Sequence, residues 1–184
     1  TYGSNTLFVS SGDIIIPGSR FYAAENNKVR SLTGSNEPGH LDIFFANKMG
    51  LHASAFGNHE FDAGPGELFD AAFSSESRNG INFPGSEFPW LGTNIDFSDD
   101  FDFDGEIAQD GSNVSNIKSK VARHAIAVVN GDTIGLIGAS SPSFPTITST
   151  GFVNFSPAGS WTNQDLAAII QESVDSLKAM GVNK

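Results

Sequence analysis

The chain contains no cysteine, which excludes a disulfide framework, a thiolate metal site and a cysteine nucleophile. It has no run of 18 apolar residues, so no stretch can cross a bilayer as a helix. Positive charge is scarce: ten Lys and Arg stand against 21 Asp and Glu, for a net charge of −11 and a pI near 4.5. Nonspecific nucleic-acid binding needs basic patches, so a nucleic-acid polymer is not the expected partner. The same acidity would repel a phosphate ester unless bound metal reverses the local field. No Gly-x-Ser-x-Gly elbow surrounds Ser10, Ser11, Ser140 or Ser141, which argues against a serine hydrolase, and no Gly-Lys-Ser/Thr loop marks a P-loop. Histidine is limited to His40, His52, His59 and His124. Residues 1–5 show no signal-peptide pattern, but a processed chain would have lost one.

What is present fits one globular domain over residues 1–184. An apolar share of 39% with 16 Phe makes disorder unworkable as a description, and the length can bury a sizeable core. Residues 5–11 read as a strand. Residues 14–37 read as loop with a short helix around 21–25. Residues 38–49 read as a helix started by Pro38 and ended by Gly50, with Leu41, Phe44, Phe45 and Met49 on its core face. A buried strand follows at 52–56, then a helix at 65–75 with Leu68, Phe69, Ala72 and Phe73 inward, then a strand at 89–95. Residues 120–129 and 133–137 flank Asn130-Gly131, a strong type I′ hairpin signal. The last helix, 162–180, opens on Thr162 and Asp165 as a capping box and stops at Gly181, with Leu166, Ile169, Ile170, Val174 and Leu177 inward. Strands alternating with helices, then a hairpin, predict a layered α/β fold.

The chemistry concentrates in two places. Residues 6–13 are an apolar run ending in Gly12-Asp13, and residues 53–62 run from a small-residue strand into Gly57-Asn58-His59-Glu60-Phe61-Asp62. Ligands of open α/β sheets bind beyond the carboxyl ends of the strands, and two parallel strands joined by a crossover helix bring two such ends side by side. An amide oxygen for a hard metal, an imidazole near phosphoryl oxygens and a carboxylate to orient the imidazole are what phosphate chemistry requires.

Ser11-Gly12-Asp13 followed by Gly57-Asn58-His59-Glu60-Phe61-Asp62 resembles the calcineurin-like metallophosphoesterases, and the Glu60-Phe61-Asp62 extension is similar to their 5'-nucleotidase branch. Residues 126–138, a strand-turn-strand around Asn130-Gly131, look like the hairpin that follows in that branch. The resemblance implies a partial α/β/β/α metallophosphoesterase-like sandwich. It implies that Asp13 bridges two divalent metals (Mn, Zn, Mg, Fe or Co), that Asn58 binds the second, that His59 contacts the phosphoryl group, and that Asp62 orients His59. The expected reaction is hydrolysis of a phosphate monoester or nucleotide by metal-bound hydroxide. A phosphodiesterase is a reading within the same class.

Two pieces of the family pattern have no counterpart. Nothing before Thr6 matches the Asp-x-His strand with which the family begins, and no histidine follows His124. The chain is therefore expected to be an interior piece of a longer enzyme, inactive alone, needing the rest of its catalytic domain and a C-terminal substrate domain. Few Lys and many Asp, Ser, Asn and Gly, taken with the resemblance, favour an extracytoplasmic protein.

Residues 96–116 form an acidic insertion expected to stand apart from the core, with Phe101 and Phe103 tucked back. Asp100, Asp102 and Asp104 followed by Gly105 match the first half of a calcium loop, but the twelfth position is Gly111 rather than Glu. A noncatalytic extracellular module that binds calcium or a partner through this loop is the competing reading. His40 is expected to be exposed, and His52 and His124 to be structural. Asn113-Val114-Ser115 and Asn154-Phe155-Ser156 match glycosylation acceptors, a pattern common by chance.

Overall fold

A computed structural model describes residues 5–159 and 161–184. The chain runs β1 (Val9–Ser10), α1 (Asn27–Thr33), α2 (His40–Met49), β2 (Ala53–Ala55), α3 (Pro65–Ala72), β3 (Glu76–Arg78), β4 (Ile81–Phe83), β5 (Trp90–Leu91), β6 (Ile95–Asp96), β7 (Val121–Ala122), β8 (His124–Val129), β9 (Asp132–Ile137), α4 (Phe144–Ile147), β10 (Asn154–Phe155) and α5 (Asn163–Ala179). Short 3-10 turns lie at Phe21–Glu25, His59–Phe61, Phe101–Phe103 and Val114–Asn116.

The organising element is a parallel sheet ordered β1-β2-β5-β7, with Val9 opposite Ala53, Ser54 opposite Trp90 and Leu91 opposite Ala122. Parallel strands need crossovers, and α2 supplies the one between β1 and β2. One face of the sheet carries the larger core, where Trp90, Phe56, Phe61, Phe73 and Phe97 pack with Ile43 of α2 and Leu68 of α3. The other face is built for close approach. Ala53, Leu91 and Ala122 meet Ala125 and Ala127 of the β8–β9 hairpin, with Leu136 packed alongside. The alanines among these residues let two sheets stack. On the far side of the hairpin, α5 lays Leu177 against Gly135, where a side chain would collide. The order helix, sheet, sheet, helix is the α/β/β/α layering that the resemblance implies.

Local signals explain the ends of the elements. Asn130 and Gly131 adopt positive φ (52° and 86°), as a type I′ turn requires, so Val129 pairs with Asp132 directly. The Thr162–Asp165 capping box forms in both directions at the start of α5. Gly50 closes α2 in the left-handed conformation.

Several expectations need correction. The first strand shortens to Val9–Ser10, and the predicted strand over 89–95 divides into β5 and β6 around residues 92–94. The loop before α2 contains α1, and Asn79-Gly80 turns an unanticipated β3–β4 hairpin with positive φ at both residues. Helix α2 is turned part of the way from its predicted face: Leu41 is buried and Phe44 packs on the core as expected, Ile43 and Ala46 are buried as well, and Phe45 and Met49 are 46% and 50% exposed. Polar anchors cause the rotation. His40, expected at the surface, is fully buried; its Nδ1 meets the Ser35 hydroxyl, its Nε2 lies 2.8 Å from the Asp70 carbonyl, and its ring stacks on Phe83. Asp42 also points inward, to an ion pair with Arg20.

The 96–116 segment is not outside the core. Phe97 and Phe103 are buried in the larger cluster and Val114 in the smaller one, while Phe101, expected to tuck back, is 88% exposed. His52 and His124 are structural as expected. His52 Nδ1 meets the Phe8 backbone at 3.2 Å, and buried His124 meets Ser173 Oγ at 3.1 Å.

Candidate active site

Because β1 and β2 are parallel neighbours in register, the chain leaves both at the same edge of the sheet. After β1, Gly12 and Asp13 both take positive φ (104° and 58°), which turns the backbone sharply. Asp is one of the few side chains that tolerates this region. After β2, Gly57 lies against that turn. A Cβ on Gly12 would run into the Gly57 backbone, and one on Gly57 would run into the Asp13 carboxylate. Both glycines are needed because the two turns touch.

Glu60 locks this contact. Its buried carboxylate accepts four backbone N–H groups: Asp13 at 2.9 Å and Gly57 at 2.7 Å on Oε2, Ile14 at 2.6 Å and Ile15 at 3.1 Å on Oε1. Burial pushes its carboxyl up to about 7, against the downward pull of those donors. One side chain from the second turn thus satisfies the backbone of the first.

The reactive groups stand on this platform. Asp13 Oδ1 accepts the His59 backbone N–H at 3.2 Å. His59 Nδ1 and Asp62 Oδ2 are 2.6 Å apart, one 3-10 turn from each other, with side chains 41% and 30% exposed. The hydrogen bond to Asp62 raises the imidazole's pKa above its ordinary value, and the charges of Asp62, Asp13 and Glu60 add to it. With Nδ1 engaged, Nε2 is the ring nitrogen left for a ligand. Beneath the turn, buried Phe61 packs on Phe56 and edge-on to Phe144. Phe56 also stacks on Trp90.

The structure therefore brings Asp13, Asn58, His59 and Asp62 into two adjoining turns. It does not gather Asp100, Asp102 and Asp104. Asp100 Oδ1 caps the 3-10 turn by accepting Asp102 N–H, and among the described residues no three His, Asp or Glu side chains form a metal-holding group. The Asp13 carboxylate and the Asn58 amide are hard oxygen donors that fit a divalent cation, yet they make only part of a ligand set.

Sequence reasoning missed three contributors. Glu60 was visible inside the motif, but a Glu there reads as another polar residue until its four donors are seen. Ser140 Oγ donates to the Phe56 carbonyl at 3.1 Å and is itself held by Asn94. Thr148 Oγ1 donates to the Asn58 carbonyl at 2.9 Å. The last two reach the site from 84 and 90 residues away, a separation at which no local pattern signals contact.

No protein-family model matches the chain. Individual proteins do. A snake venom 5'-nucleotidase of Gloydius brevicauda is 28% identical over 143 residues, 77% of this chain and 19% of the venom protein. The trifunctional nucleotide phosphoesterase protein YfkN of Bacillus subtilis is 28% identical over 119 residues, 61% of this chain and 8% of YfkN. Among solved structures, the 5'-nucleotidase precursor of Thermus thermophilus superposes with a TM-score of 0.62 at 27% identity, covering 100% of this chain and 27% of that one. The calcineurin-like phosphoesterase structure of YfkN gives 0.55 at 20% identity, covering 97% and 46%. The chain thus spans about a fifth or less of the length of these curated relatives.

Proposed function

We propose, from this likeness to 5'-nucleotidases and calcineurin-like phosphoesterases, that the complete protein is a metal-dependent hydrolase of phosphate monoesters, nucleotides foremost. The observation that carries the proposal is the meeting of Asp13 and Asn58 with the His59–Asp62 pair on two touching strand-end turns. A bound pair of divalent ions supplies a water of lowered pKa and an electrophilic clamp on the phosphoryl oxygens. Asp13 and Asn58 are the residues of this chain that would hold them. Asn58 is suited to it, because no side-chain hydrogen bond ties up its amide among the described residues.

His59 keeps a proton at Nδ1 for Asp62 and offers Nε2 to the substrate. A raised pKa favours the imidazolium, which neutralises phosphoryl charge and can release a proton towards the leaving oxygen. Asp62 fixes the ring and stabilises its charge. Two oxygen donors do not complete a di-metal shell, so the 184-residue chain alone is inactive and relies on ligands from the rest of the protein. Its acidic, lysine-poor composition suits an extracytoplasmic location.

The test is phosphate release from nucleoside 5'-monophosphates by the complete protein with Mn, Zn, Mg or Co added, beside the 184-residue chain and a His59→Ala variant. Metal-dependent turnover by the complete protein, lost by about a hundredfold or more in the variant and absent from the short chain, supports the reading. Enzyme-like rates from the short chain would remove the claim that it needs partners. No turnover by the complete protein under any metal would remove the function itself.

A further inference from the structure

We propose that the cavity between α1 and the β3–β4 hairpin is an anion site for a phosphate dianion, free or as the head of a phosphate ester. The cavity holds about 330 Å³ and is lined by Asn27, Arg30, Ser31, Arg78, Asn79 and Ile81. No acidic side chain lines it, and it shares no residue with the strand-end turns that carry Asp13 and His59.

The charges carry the assignment. Acidic residues outnumber basic ones by 21 to ten, so a cation in this protein rarely lacks a carboxylate to meet. Arg20 pairs with Asp42 and Arg123 with Glu172. The remaining arginines, Arg30 and Arg78, share this cavity, and neither forms an ion pair among the described residues. Each has a hydrogen bond to a neutral oxygen only: Arg30 Nη2 to the Glu25 carbonyl at 3.4 Å, and Arg78 Nη1 to Asn36 Oδ1 at 2.8 Å. Arg30 Nε is buried and has no acceptor. A guanidinium presents its N–H donors as a planar fork, so most donors of this pair lack a protein acceptor. Two like charges around one cavity repel. A dianion between them cancels that repulsion and supplies the missing acceptors. A carboxylate, with one charge and two oxygens, matches one fork; a phosphate, with two charges and more oxygens, matches both.

The fold sets the two arginines together. Gly34 ends α1 in the left-handed conformation (φ 82°), and its N–H donates to the Arg30 carbonyl at 3.0 Å. A Cβ on Gly34 would strike Ile81, so the end of α1 touches the start of β4. Ile81 faces Arg78 across the hairpin, which Asn79 and Gly80 turn with positive φ. Arg30 is half-buried and Arg78 exposed, which leaves the cavity open to a ligand from solvent.

Binding here needs neither metal nor turnover, so its test is separate from that of the phosphohydrolase reading. The complete protein, stripped of metal, is titrated by calorimetry with inorganic phosphate and with glycerol phosphate in about 0.15 M chloride, where weak surface attraction is screened. Saturable binding is expected, weakened about tenfold or more by Arg78→Gln and by Arg30→Gln. Arg78 is exposed, so Arg78→Gln should keep the urea midpoint of the wild type and separate lost binding from lost fold. In NMR spectra, phosphate should shift the Arg30 Nε–H resonance in the wild type and in His59→Ala, but not in Arg78→Gln. Tighter binding of glycerol phosphate assigns the site to an ester, and tighter binding of phosphate to the free ion. Unchanged affinity in Arg78→Gln, equal binding of acetate, or no binding of either phosphate probe would overturn the proposal.

Discussion

Glu60 and Asp13 are joined through the backbone: the carboxylate of one takes the N–H of the other at 2.9 Å, 47 residues apart in sequence. The same oxygen takes Gly57 N–H at 2.7 Å, so a single atom ties together the exits of β1 and β2. Replacing Glu60 with Ala leaves the N–H groups of Asp13, Ile14, Ile15 and Gly57 without an acceptor in a partly buried turn. An unsatisfied buried donor costs about 1–3 kcal/mol. Water entering the space would recover part of that, so a net loss of about 3 kcal/mol or more is expected in urea unfolding. Glu60→Gln, which keeps one acceptor oxygen but turns an NH₂ towards the donors, should fall between the two. A Glu60→Ala protein as stable as the wild type would show that these four bonds contribute nothing net.

Gly57 offers a separate test of the contact between the turns. Its φ is ordinary, so alanine there suffers no backbone strain. The added methyl would instead overlap the Asp13 side chain and backbone. Overpacking of this kind costs about 1–3 kcal/mol, and the nearest group able to yield is the Asp13 carboxylate. Gly57→Ala is therefore expected to weaken divalent-metal binding by about tenfold or more, a larger effect than its modest loss of Tm would suggest. Calorimetric titration with Mn checks this, and unchanged affinity would mean that Asp13 has room the geometry does not show.

These two residues also mark where sequence reading stops. The placement of Asp13, Asn58, His59 and Asp62 on two adjoining turns was legible because strand ends and short polar motifs are local patterns. So were the Asn130-Gly131 hairpin and the capping box of α5, where a few adjacent side chains dictate the backbone. The roles of Glu60 and Thr148 were not, since each depends on which distant backbone groups the fold brings near. The α2 face was misjudged for a related reason. Apolar periodicity placed Phe45 and Met49 inward, but His40 and Asp42 found buried polar partners and turned the helix. Counting hydrophobic positions cannot anticipate that a histidine will be satisfied inside.

That histidine gives the fold a defined pH response. Burial lowers the pKa of His40 below 6.5, outweighing the upward pull of the Asp70 carbonyl and the Glu76 and Asp70 carboxylates. With Nε2–H donated to Asp70 O, neutral Nδ1 accepts from Ser35. Below pH 6.5 the unfolded chain takes up a proton on this side chain that the folded protein refuses until the lowered pKa is reached. Stability from His40 is thus present above pH 6.5 and lost as pH falls through that window. His124, also buried and shifted downward, acts in the same direction. Urea denaturation at a series of pH values should show the wild type losing stability on acidification. A His40→Gln variant should be less stable at neutral pH and show a shallower decline. An equal slope in the two proteins would assign the response elsewhere.

The acidic segment supplies the sharpest contrast between neighbouring residues of one type. Phe103 has no exposed surface; it lies 4.4 Å from Phe97, 5.0 Å from Phe73 and 5.6 Å from Phe69, ring centre to ring centre. Phe101, two residues earlier, is almost wholly in water. Truncating a buried phenylalanine costs about 3–5 kcal/mol through lost transfer energy and the cavity left behind, whereas an exposed change stays within about 0.5 kcal/mol. Phe103→Ala should therefore destabilise the protein strongly and open residues 96–116 to protease before the rest unfolds, since Phe103 pins that segment to α3. Phe101→Ala should leave both stability and cleavage pattern unchanged. If the two variants behaved alike, the segment would be a detached loop after all, and the placement of Phe97 and Phe103 in the core would have to be abandoned.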